Sequence, residues 1–176
     1  MKNTDHCNLC DNKKTDFNIG VLCGLTDQKP DFVGKCNVIK LDEEFKQKII
    51  EVNIEYEAVL KTKIDTYGLS IIYLVVAFAF FVGGFLIGKY ALDSGVISTV
   101  PLIIMGVGIA PLGMATGPFN YYQSSLKIAR HKKNIVDKVA QLYGYIYDIK
   151  IVHLKDSLGN KSYETDLKIR KTTNSF

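Results

Sequence analysis

Tryptophan is absent from this 176-residue chain, histidine occurs three times, and none of the four cysteines lies beyond position 36. None of the histidines stands with a nucleophile or an acidic partner, and no glycine-rich phosphate loop is present, so no catalytic constellation emerges and no enzymatic activity is expected. The opening MKNTDHCNLCDNKKTD contains no apolar core of the kind a cleavable leader carries. The first apolar segment is therefore expected to act as the insertion signal itself. The most informative shortage is of charge. Leu69 to Gly88 reads LSIIYLVVAFAFFVGGFLIG, and Ser94 to Leu126 is equally uncharged. A helix needs about 20 such residues to cross a hydrocarbon layer of ~30 Å. Ionisable residues inside spans usually mark ion or proton paths, and their absence here argues against a coupled transporter.

These runs predict a mainly α membrane protein built on a two-span helical hairpin. The spans are placed at 68–88 and 96–122, joined by a short external loop at 89–95. Phe45, Ile49, Val52, Tyr56 and Val59 recur at helical spacing before the first span, widened by Ile50, Ile54 and Ile64. Leu126, Ala129, Val136, Val139, Leu142, Tyr143 and Ile146 do the same after the second. An approach helix at 42–67, capped by Asp42, and a return helix at 123–147 should therefore pair their apolar stripes as an antiparallel stalk. Glu51, Glu55 and Glu57 read as solvated faces of that stalk. Within the spans, Gly84-x3-Gly88 and Gly113-x3-Gly117 offer small faces for close helix packing. Pro101 suits a first helical turn, Pro111 should kink the second span, and Pro118 marks its inner end or a second bend.

Charge placement sets the orientation. Lys46, Lys48, Lys61 and Lys63 precede the first span; Lys127, Arg130, Lys132, Lys133 and Lys138 follow the second; the intervening loop has only Lys89 and Asp93. Both termini are thus expected in the cytoplasm. The basic cluster at 127–133, which includes His131, reads as topogenic charge with attraction to anionic lipid, and no nucleic-acid partner is expected. Residues 148–176 predict a β-hairpin, with strands at Asp148–Lys155 and Ser162–Arg170 and turn-forming residues between. His153 is expected to pack across that hairpin.

Residues 1–41 form a separate, loop-rich module. Cys7-x2-Cys10 is followed by Cys23 and Cys36, with twelve residues in each longer gap. Two thiolates on a tight turn and two from separate turns suit the tetrahedral shell of structural zinc. In a reducing compartment disulfides are disfavoured. The expected metal ligands are Cys7, Cys10, Cys23 and Cys36, with His6 able to replace one thiolate; free, partly buried thiols and a redox or iron–sulfur role are the alternatives. So small a segment has little core of its own, whereas zinc supplies about 10–16 kcal/mol of folding free energy to small fingers.

The run Cys7-x2-Cys10, Gly20, Cys23, Leu25, Thr26, Pro30, Phe32, Cys36 and Asp42 resembles the N-terminal four-cysteine, zinc-ribbon-like module of small bacterial membrane proteins of the Bacteroidota type. The resemblance covers about residues 7–42. It implies an inner-membrane protein with a metal-stabilised cytoplasmic head. The functional expectation is a non-enzymatic membrane-anchored scaffold or interaction module, partnered by the bilayer, by a cytoplasmic protein or by further copies of itself as a homo-oligomer. The alternative is an oligomeric pore assembled from the glycine- and proline-rich hairpins.

Overall fold

The computed structural model describes residues 2–91, 99–155 and 161–172. The chain is mainly helical, with two long apolar helices and a C-terminal antiparallel pair of strands. Its elements in order are α1 (Asn3–Cys7), β1 (Lys13–Asp16), β2 (Gly20–Cys23), α2 (Glu43–Leu86), a π-helical turn (Ile87–Ala91), α3 (Thr99–Val107), α4 (Ile109–Leu142), β3 (Tyr145–Lys155) and β4 (Lys161–Lys171). They divide into two units. One comprises Met1–Glu57 with Ile128–Phe176, and the other Ala58–Lys127.

In the first unit the expected stripes of α2 and α4 do meet. Phe45, Ile49 and Val52 form one core with Val136, Val139 and Ala140, and Leu9 from the N-terminal module joins it. The outer faces of the helices carry the charges, with ion pairs Lys48–Glu51 and Lys132–Glu55. The C-terminal hairpin covers this core. Tyr145, Tyr147, Ile149, Leu167 and Ile169 pack on it, while the alternate residues Ile146, Asp148, Lys150, Lys168 and Arg170 are exposed. The hairpin reaches beyond its expected strands on both sides, pairing Tyr145 with Lys171 and Lys155 with Lys161. Its turn at 156–160 lies outside the described residues, as do 92–95 of the expected external loop and 96–98 of the expected second span. The isolated-hairpin problem, marginal stability in water, is thus met by burying one face on helices.

The return helix stops at Leu142, five residues short of its expected end at 147. Gly144 adopts φ +73°, the left-handed conformation that glycine supplies at helix ends without a Cβ penalty. Its carbonyl accepts the Thr172 N–H at 2.6 Å, closing the hairpin onto the helix end. Ile146, placed by spacing on the helix, is an exposed strand residue instead. The start of α2 also differs from expectation. The Asp42 carboxylate pairs with Lys46, and the N–H of Glu44 is capped by the Asp11 carboxylate at 2.9 Å.

In the second unit small residues hold the helices together. Gly84 approaches the Pro101 carbonyl and the side chains of Met105 and Ile104, and Gly108 approaches Phe80 and the Ala77 carbonyl. Ala77, Ala115 and Tyr122 are buried beside them. Ser70 donates its hydroxyl to the Ala115 carbonyl at 2.9 Å, and Tyr67 packs edge-on against Phe119 and Tyr122. Gly113 and Gly117, expected as a packing face, have open space where a Cβ would stand. Large apolar side chains point outward: only 17 % of the most apolar 18-residue stretch of each helix is buried.

Where a kink was expected at Pro111, the helix is interrupted at Gly108, between α3 and α4. Pro111 has no N–H for the Val107 carbonyl and its ring crowds that oxygen, so the helix breaks one residue later. Pro118 lies inside α4 without ending it. Lys89, expected in the loop, belongs to the π-helical turn.

Candidate metal centre

The module at 1–41 has more regular structure than its sequence suggests. The β1–β2 hairpin pairs Lys13 with Cys23 and Asp16 with Gly20. Asp16 Oδ1 accepts the N–H groups of Asn18 and Ile19 across the turn, and Gly20 supplies φ +94°. Cys23 ends β2, and the chain then folds back sharply. A Cβ at Gly24 would lie 2.7 Å from the Asn12 carbonyl oxygen, so this position requires glycine. Cys7 ends α1, Cys10 follows in the turn before β1, and Cys36 lies in a segment without helix or strand.

All four cysteines line one cavity of about 10 Å³, walled by Leu22, Leu25, Val38 and Ile39. That is the room one water or one small ion takes, and too little for an organic cofactor. Cys7 and Cys10 are buried, Cys23 and Cys36 half-buried, and all four are free thiols. Among the described residues, no three His, Cys, Asp or Glu side chains stand close enough together to grip an ion as placed. Zinc–sulfur bonds of about 2.3 Å would require the sulfurs to draw in around the cavity.

The sulfurs are unequal. Burial pushes the Cys7 thiol up to about 11, and its neighbours Cys10, Cys36 and Cys23 add to the rise. Cys23 is held below the usual thiol range, chiefly by the Leu25 N–H and further by the Thr26 hydroxyl and N–H, against a smaller opposing effect of burial. Cys10 Sγ accepts the Lys40 N–H at 3.4 Å. Backbone donors aimed at sulfur favour the thiolate, the form that binds metal.

His6 does not line the cavity, contrary to its suggested place as a substitute ligand. Its ring is buried and turned toward α4, with Nδ1 2.9 Å from the Tyr143 hydroxyl and edge contacts to Phe32 and Tyr143. Burial lowers its pKa, outweighing the pull of Asp5, so the ring is neutral. The Tyr143 oxygen that faces Nδ1 also accepts the Cys36 N–H at 2.8 Å. Sequence reasoning placed Tyr143 only on an apolar stripe. The other candidates stand apart from this site: His153 packs edge-on against its cross-strand partner Tyr163 and, against the expectation that no histidine has an acidic partner, lies 3.1 Å from the Glu57 carboxylate, and His131 is exposed.

Comparison with family models, with curated proteins and with solved structures gave no match.

Proposed function

We propose that this chain is a bacterial integral membrane protein of the inner membrane, a non-enzymatic scaffold whose two apolar helices anchor a zinc-stabilised cytoplasmic head. One observation carries the reading of the head: three separate segments bring four thiols to a single ion-sized cavity. The donor set is the one structural zinc takes, and N–H groups already point at two of the sulfurs. Cys7, Cys10, Cys23 and Cys36 would hold the ion. Bound zinc would supply folding free energy to a module whose only large, fully buried apolar side chain among the described residues is Leu9. The resemblance of residues 7–42 to four-cysteine modules of bacterial membrane proteins supports the same assignment.

The anchoring half of the proposal rests on two helices that are long and apolar enough to cross a membrane and on the basic residues that flank both apolar runs. Both termini then lie in the cytoplasm, where thiols stay reduced. The head and the exposed hairpin face are the surfaces left for partners. Purification in mild detergent, with zinc per chain and particle mass measured together, tests the proposal. One zinc per chain in a small particle supports the scaffold; a chain without zinc contradicts the head, and a large closed ring would favour a pore.

A further inference from the structure

We infer that Tyr143 is the positioning residue of the metal centre, and that through it the end of α4 responds to metal. The inference rests on the zinc reading above. Tyr143 sits one residue beyond α4 and 107 residues from Cys36 in sequence, yet one oxygen joins the two. That oxygen accepts the N–H of Cys36 itself and lies within hydrogen-bond reach of Nδ1 of His6, the neighbour of Cys7. Two of the four ligands, from opposite ends of the module, are thereby set by a single side chain that belongs to neither.

The segment carrying Cys36 has no helix or strand from residue 29 to residue 42. It is tied to its surroundings by Asn3, which donates to the Phe32 carbonyl at 2.9 Å, by the Lys40 contacts to Cys10 and Asp11, and by Tyr143. Metal at the cavity would restrain Cys36 a second time. Two restraints on one residue are coupled, and the coupling is reciprocal: metal tightens the hold on Tyr143, and Tyr143 raises the affinity for metal. Beyond Tyr143 the consequence passes into α4, which runs unbroken back to Ile109. Metal occupancy therefore stiffens the junction between that helix and the C-terminal hairpin.

The test uses the full chain in detergent micelles, wild type against Tyr143→Phe, which keeps the ring and removes the hydroxyl. Zinc affinity is measured by chelator competition, the ligand set by the cobalt(II) absorption spectrum, and the junction by amide hydrogen exchange with and without zinc. The variant should still bind one zinc and give the same cobalt–thiolate spectrum, with affinity about 10-fold weaker. Zinc should slow exchange at residues 36 and 139–145 in the wild type and not in the variant. Equal affinity and equal zinc-dependent protection in both chains overturn the inference and leave the zinc reading standing. A wild-type junction that exchanges at one rate with or without bound zinc overturns it as well, independently of how the variant folds. A wild-type chain that binds no zinc overturns both.

Discussion

The two units of this chain solve the same helix-pairing problem with opposite choices of side chain. In the unit that holds the N- and C-terminal segments, large residues are inside: Phe45, Ile49, Val52, Val136 and Val139 are buried, and lysines and glutamates face out. In the Ala58–Lys127 unit, Ala77, Gly84, Gly108 and Ala115 are buried, while Ile71, Val75 and Phe78 are 58 %, 62 % and 70 % exposed. The spacing is nevertheless shared. Every seventh residue from Pro101 through Gly108, Ala115, Tyr122 and Ala129 to Val136 is buried. Within each unit a seven-residue period keeps a seam facing a partner helix, and on the proposed membrane reading the surroundings decide what fills it. In water, large apolar side chains gain by leaving the solvent. In lipid that gain vanishes, and close backbone approach through small residues takes its place.

This contrast is open to direct attack. The largest effect should come from truncating phenylalanine in each unit. Phe45→Ala should lower unfolding stability by about 3–5 kcal/mol, whereas Phe78→Ala should change it by under ~0.5 kcal/mol; chemical denaturation in mixed micelles measures both. Comparable losses would erase the distinction. Next, a charge on the outward face of each unit separates lipid from water as the surroundings. Ile72→Arg should oppose membrane insertion by about 2.5–3.5 kcal/mol, read as a fall in the membrane-integrated fraction, and the exposed Glu51→Gln should leave that fraction unchanged.

A subtler pair sharpens the role of small residues. Gly108→Leu must push against Phe80 and the Ala77 carbonyl and should cost about 1–3 kcal/mol. Gly113→Leu meets open space and should be near neutral. The smallest effect concerns the head. A thiol whose pKa rises on folding stabilises the fold below its ordinary pKa, and that contribution is lost as pH climbs through the raised value. The metal-free chain should therefore lose stability between pH 9 and about 11 through Cys7. Thiols taken as metal ligands no longer bind that proton, so the loss should be blunted with zinc bound.

Much of this arrangement was legible in the sequence, for identifiable reasons. The uncharged runs and the stripe Phe45, Ile49, Val52 are periodic over many residues, and long periodic patterns survive local exceptions. The C-terminal strands announced themselves by alternation around β-branched residues. Other features depended on contacts that no local pattern encodes. Lys13–Asp16 holds one β-branched residue, Thr15, so β1 is fixed by its pairing with β2 rather than by its own composition. Glycines permit close packing without specifying it, and spacing alone could not separate Gly108, which is in the seam, from Gly113, which is not. The end of α4 set two signals against each other: Gly144 favours a stop, while Tyr143 and Ile146 prolong the helical stripe. The helix stops, and Tyr145 and Tyr147 pack half-buried against the core as strand residues.

At the candidate site the four thiols could be picked out from their spacing, and they line one cavity without closing into a metal shell. The supporting partners could not. Asp11 caps α2 from 33 residues away, and Tyr143 reaches Cys36 and His6 across most of the chain. A tyrosine on an apolar stripe gives no sign that its hydroxyl has a task.

The central claim is that two uncharged helices cross the bilayer and leave the thiol-bearing head inside. Labelling of bacterial cells expressing a Ser94→Cys chain with a membrane-impermeant maleimide tests it most directly. The account predicts that residue 94 is labelled on intact cells, and that Cys7, Cys10, Cys23 and Cys36 react only after permeabilisation and zinc removal. Labelling of the four native cysteines from outside intact cells, or recovery of the chain from the soluble fraction without detergent, would contradict it.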